Sequence, residues 1–134
     1  MNIFVDTSVW SLALRRDGSS GPEVSLLERS LAGGDIIITT GLILQELLQG
    51  FYCPKSRDRI IRSFSLLPVI TPEIADHIEA AELRNVCRRK GIQVGTIDAL
   101  LAQLCIRHSL QLLTTDEDFE HMAAHTPLSL LSSL

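Results

Sequence analysis

Neither sign of charge dominates this 134-residue sequence, aromatic side chains are scarce, and long apolar runs are missing. Twelve Lys and Arg stand against 16 Asp and Glu, a formal net charge of −4. That balance excludes a general basic coat for nucleic acid as the main device, while leaving room for a local basic patch. Three cysteines, Cys53, Cys87 and Cys105, are odd in number and match no close-spaced metal or redox motif. They read as reduced thiols of an intracellular protein. No stretch reaches the roughly 18 uninterrupted apolar residues of a membrane span. Asp6 interrupts an apolar start that no cationic segment precedes, so the N-terminus does not read as a secretory signal. Internal repeats, linkers and low-complexity tracts are absent as well. Leu, Ile and Val, by contrast, recur along the whole length, which excludes disorder. The length suits one domain with a single core over residues 1–134, expected to be soluble and cytoplasmic.

Short apolar runs alternate with helical patterns. Asn2-Ile3-Phe4-Val5 reads as a buried strand stopped by Asp6-Thr7-Ser8, which caps a helix over residues 9–16. After a Gly- and Ser-rich break, Pro22 opens a helix whose apolar face is Val24, Leu27 and Leu31 with Leu26, ended by Gly33-Gly34. Ile36-Ile37-Ile38 is a strand. An apolar helix over residues 41–51 follows, and then a basic-apolar helix over residues 55–67. Residues 68–70 read as a brief strand. Thr71-Pro72-Glu73 predicts a helix start, with an inner stripe of Ile74, Ile78 and Ala81 and with Leu83 and Val86 on the other side, facing a partner. Gly95-Thr96 opens a helix with Ile97, Leu100, Leu101 and Leu104 on one face. Residues 110–113 form a strand, residues 117–124 a last helix, and residues 128–131 an apolar tail. The alternation predicts an α/β/α sandwich with a mainly parallel central sheet flanked by helices.

Four acids stand where that pattern does not require them. Asp6 directly follows the first strand, and Asp116 follows the strand over 110–113 and its two threonines. Ligands of open parallel sheets collect beyond the carboxyl ends of strands. Glu46 has Leu42, Ile43, Gln49 and Gly50 as its helical neighbours, and Asp98 precedes six residues whose only polar side chain is Gln103. An ionised acid in apolar surroundings is expensive unless paired or bound to a cation, and none of the four has a Lys or Arg within four residues. Each alone also fits a helix cap, a turn or a surface acid. If they converge, repulsion raises their pKa values until a cation neutralises them. Oxygen ligands without His or Cys suit Mg²⁺ or Mn²⁺ rather than zinc. The four histidines (His77, His108, His121, His125) are scattered and form no metal-ligand pair with cysteine.

Phe4-Val5-Asp6-Thr7-Ser8, Leu44-Gln45-Glu46-Leu47, Thr96-Ile97-Asp98-Ala99-Leu100 and Thr114-Thr115-Asp116-Glu117-Asp118-Phe119, in this order, resemble the four acidic motifs of PIN-domain nucleases. In length and motif order the chain is similar to the VapC-type toxins of toxin–antitoxin pairs. The resemblance spans the whole chain and implies a PIN-like α/β fold, Mg²⁺ or Mn²⁺ binding and RNA cleavage. It implies that Asp6, Glu46, Asp98 and Asp116 are the catalytic, metal-binding acids, with Asp118 a fifth acid near the metal. An antitoxin partner and a homodimer follow from the same resemblance.

Ser8 and Thr115, and less directly Thr7 and Thr96, are hydroxyls suited to hold carboxylates or a substrate phosphate, or simply to cap helices. Substrate contact falls to local basic groups such as Arg15 and Arg59, with Arg16, Lys55, Arg57, Arg62, Arg84, Arg88, Arg89 and Lys90 as further cations. Tyr52 or Trp10 could stack on an unpaired base. The alternative reading is a non-catalytic PIN-like module that binds RNA or protein. A phosphoacceptor domain of the receiver type fits less well, because the only lysines, Lys55 and Lys90, do not follow strands.

Overall fold

The computed structural model describes residues 1–132 apart from Arg16 and Ser19, so the expected end of the first helix at Arg16 lies outside the described residues. Four strands form one parallel sheet in the order β2-β1-β3-β4: β1 (Asn2–Val5), β2 (Ile36–Ile38), β3 (Gln111–Leu113) and β4 (Ser129–Leu130). Ile3, Phe4 and Val5 are all buried, as are Leu112 and Leu113. Successive strand residues point to opposite faces, so helices must cover both faces of the central pair, as the α/β/α expectation requires. The seven helices among the described residues are α1 (Thr7–Leu14), α2 (Pro22–Ala32), α3 (Gly41–Gly50), α4 (Pro54–Phe64), α5 (Ile74–Arg89), α6 (Thr96–Arg107) and α7 (Glu117–Ala123).

β1 lies between β2, reached through α1 and α2, and β3, reached only after the chain has crossed to the other side. The strand order therefore reverses between β1 and β3, the point where open α/β sheets take their ligands. The Asp6 amide donates to the Leu113 carbonyl at 2.9 Å, carrying the ladder one step past both strands and fixing Asp6 at their carboxyl ends.

Several sequence expectations are displaced. Residues 68–70 make only a bridge between Val69 and Thr39 at the β2 edge, because Pro68 has no N–H to extend a ladder. α5 begins at Ile74, not at Pro72: Glu73 is the N-cap, and its amide donates to Asp76 Oδ2 at 2.8 Å. The inner face of α5 is Asp76, Ala80, Leu83 and Cys87, whereas Ile74 and Ile78 are 77% and 60% exposed. An ion pair to a buried carboxylate sets this phase. Arg107, at the end of α6, donates to Asp76 Oδ1 at 2.7 Å and to Oδ2 at 2.9 Å, so α5 turns its carboxylate, not its isoleucines, toward α6. Leu83 is therefore core and unavailable as a partner contact. Leu31 and Ile97 are likewise exposed rather than inward. Cys87 and Cys105 are buried free thiols and Cys53 an exposed one. No helix of the described residues is long and apolar enough to cross a membrane.

Candidate active site

The acids meet at the β1–β3 switch point. Asp6 leaves β1, Asp98 sits in the first turn of α6, and Asp116 is the N-cap of α7, its Oδ1 accepting the Asp118 amide at 2.9 Å. One carboxylate oxygen each from Asp98, Asp116 and Asp118 lies within 4.8 Å of the others. Asp6 and Glu46 stand outside this tight trio, yet near enough to act on it. Burial first, then the charges of Asp6, Asp116, Glu46 and Asp118, push the Asp98 carboxyl from 3.8 up to about 6.

Hydroxyls hold the two outer acids. Asp6, almost fully buried, accepts through Oδ2 from Ser8 Oγ and from Thr114 Oγ1, each at 2.8 Å. Thr7 Oγ1 donates to Glu46 Oε1 at 3.0 Å, tying α1 to α3. Glu46 is not immersed in the apolar surroundings its sequence neighbours suggest. α3 buries Ile43 and Leu47 on one side and exposes Glu46 on another.

Among the described residues, no Lys or Arg reaches any of these five carboxylates within ion-pair distance, whereas Asp35, Asp58 and Asp76 are each in an ion pair. A group of carboxylates that holds one member's proton up to about pH 6 and has no cationic side chain to offset it fits a hard divalent cation with oxygen ligands. The thiol nearby gives no soft alternative, because burial, and then the Asp6 charge, keep Cys105 protonated far above the usual range.

The expected accessory residues divide. Ser8 joins the Asp6 network, but Thr115 enters it through its backbone N–H, donated to Ser8 Oγ at 3.1 Å. The hydroxyl that reaches Asp6 belongs to Thr114, which also accepts the Asp116 amide at 3.0 Å and was not singled out from the sequence. Its signal was present: it is the first hydroxyl after β3, as Thr7 and Ser8 are the hydroxyls after β1. The Thr96 hydroxyl makes no hydrogen bond among the described residues. Arg15 is exposed just past α1. Arg59 donates to the Leu14 carbonyl at 3.2 Å, so its guanidinium closes the end of α1. Trp10 is in the core against Phe64, ring centroids 5.0 Å apart, which removes it as a base-stacking platform; Tyr52 is 82% exposed.

Fold and acids together define an α/β domain of nuclease type, and the chain belongs to the PIN-domain family, whose model matches residues 3–125. It is 32% identical over 133 residues to ribonuclease VapC11 of Mycobacterium tuberculosis and equally to a VapC ribonuclease of Mycobacterium bovis, covering 97% of this chain and 98% of each relative. Its fold is similar to a chain of the VapBC2 structure from Rickettsia felis bound to a promoter DNA fragment, with a TM-score of 0.74, 21% identity and 98% of both chains covered. It is also similar to VapC20 of Mycobacterium tuberculosis, a sarcin-ricin loop cleaving toxin, with a TM-score of 0.67, 20% identity, and 94% of this chain and 98% of that one covered.

Proposed function

We propose that this chain is a divalent-metal-dependent endoribonuclease that acts as the toxin of a toxin–antitoxin pair. One observation carries the catalytic part. Five acids converge at the β1–β3 switch point and, among the described residues, no cationic side chain lies within ion-pair distance to offset them. The names of the curated relatives support RNA as the polymer cut.

Asp98, Asp116 and Asp118 would hold a Mg²⁺ or Mn²⁺ ion, with Asp6 and Glu46 completing the negative wall around it. When bound, such an ion supplies positive charge to a phosphodiester and makes a neighbouring water more acidic. The chain's own groups do the rest. Ser8 and Thr114 fix the Asp6 carboxylate by two short bonds, so it cannot swing away from the centre. Glu46 is open to solvent, and the Thr7 bond to Oε1 leaves Oε2 free to orient an incoming water and take its proton. In-line attack of that water on phosphorus breaks the bond to the 3′-oxygen, which takes a proton from solvent, leaving a 5′-phosphate and a 3′-hydroxyl.

The cognate antitoxin is the expected partner, with a cationic side chain set against the unpaired acids. A homodimer is proposed through the exposed face of α5, where Ile74 and Ile78 stand beside an apolar groove lined by Ala81 and Ile97. The free thiols fit a cytoplasmic setting. Asp98→Asn is expected to abolish Mg²⁺-dependent RNA cleavage while leaving the circular dichroism spectrum unchanged. A variant that cuts at the wild-type rate, or wild-type cleavage that survives EDTA, overturns the assignment.

A further inference from the structure

A second set of charged groups stands where α5 runs into the start of α6 and is not used by the chemistry above. Where α5 ends and α6 begins, a cavity of about 540 Å³ is lined by Arg84, Arg88, Ile92, Gln93, Val94 and Gly95. Arg84 Nε donates to the Val94 carbonyl at 2.6 Å, which pins its guanidinium to the loop. Arg88 Nη2 donates to Asn85 Oδ1 at 3.0 Å. Each guanidinium carries five N–H donors, and among the described residues neither is within ion-pair distance of a carboxylate. The cavity wall therefore concentrates unneutralised positive charge in a chain whose net charge is −4.

The cavity shares a wall with the acid centre. Gly95 lines it, and Gly95 is also the N-cap of α6, three residues before Asp98. A β-carbon built on Gly95 would stand 3.9 Å from Asp98 Oδ2, so this residue has the arginines on one flank and the central carboxylate on the other.

We propose that Arg84 and Arg88 form a phosphate subsite for the RNA strand, holding a backbone phosphate adjacent to the one presented to Asp98. This rests on the ribonuclease reading and assigns the substrate contact that an acidic nuclease requires. Planar guanidinium groups match a phosphate's oxygens two at a time. A guanidinium already fixed by the Val94 carbonyl loses little freedom on binding. Contacts of this kind set the register of a strand without reading its bases. The shared Gly95 wall favours RNA over an acidic peptide, because it sets the cavity one residue's width from Asp98, within reach of the next phosphate of a strand engaged there.

The test uses the full chain carrying Asp98→Asn, so that RNA survives, with Mg²⁺ present and a fluorescein-labelled short single-stranded oligoribonucleotide as probe. Anisotropy titrations over a range of KCl concentrations compare this protein with versions that add Arg84→Gln, Arg88→Gln or both. The double change is expected to raise Kd roughly tenfold and to flatten the slope of log affinity against log salt by about 0.7, the value for one lost single-strand phosphate. Arg88→Gln carries the test if Arg84→Gln unsettles the loop, since the Arg88 bond reaches only a residue one turn back on the same helix. Unchanged Kd and slope overturn the subsite. So does an outcome in which RNA binding is untouched while an Asp- and Glu-rich peptide loses affinity, which would give the cavity to a protein carboxylate. Failure of the ribonuclease reading is distinguishable, because it appears as wild-type protein that cuts no RNA in Mg²⁺.

Discussion

Asp6 and Asp98 belong to one cluster, but they have different partners. Asp6 receives two hydroxyl donors, whereas Asp98 receives burial and neighbouring negative charge, which push its carboxyl from 3.8 to about 6. A group that binds its proton more tightly folded than unfolded contributes stability that is complete below the unfolded value and lost as pH rises through the folded one. Metal-free protein is therefore expected to show a melting temperature that falls between about pH 4 and about pH 6, and Asp98→Asn to remove that fall. Mg²⁺ should restore stability more at pH 7 than at pH 5, where protons compete for the site. Melts in EDTA and in Mg²⁺ check both, and a melting temperature that climbs through this window in EDTA would refute them. The acids themselves were legible in the sequence because ionised groups next to apolar runs are conspicuous. Thr114 was not, because a hydroxyl after a strand looks the same whether it caps a helix or holds a carboxylate, and only the pairing of β1 with β3 decides.

At the level of elements, periodicity located α5 but gave it the wrong phase. Ile74 and Ile78 have the right spacing for a buried stripe, yet the helix is anchored by Asp76, which is far less hydrophobic than either and wholly buried. Burial raises the Asp76 pKa, but the Arg107 hydrogen bonds, the Glu73 amide and the Arg107 charge outweigh it and hold the carboxyl below its ordinary value. Its stabilising effect is present above 3.8 and lost as pH falls through the folded value, a window below that of Asp98. Asp76→Ala removes both the N-terminal bond of α5 and the α5–α6 tie. It should destabilise by more than the about 1 kcal/mol of a lost helix cap alone, measured by urea unfolding at pH 7. A loss no larger than that would mean that the ion pair contributes nothing. A side-chain pair separated by 31 positions leaves no periodic trace, so the phase could not be read in advance.

For the whole molecule, the parallel sheet and the helical cover of both faces follow from short β-branched and leucine-rich runs that alternate with helices, and that much was legible. The outward face was not, because the same helix offers two apolar sides and burial is settled by what packs against it. With Leu83 in the core, the proposed self-association surface is the exposed face that carries Ile74 and Ile78. Ile78→Glu should shift sedimentation from dimer to monomer without lowering the melting temperature, since the side chain is already wet in the single chain. A variant that remains dimeric would reject this face.

The bond from Thr114 to Asp6 joins positions 108 residues apart. Closing so wide a loop comes late and slowly in folding, and every segment between β1 and β3 must have been synthesised before it can close. A polypeptide still emerging from the ribosome, or cut short anywhere before β3, has the first acid but not the place it belongs to. Such a fragment would be harmless to the RNA around it, and the capacity to cut would arrive all at once, when the segment after β3 has emerged.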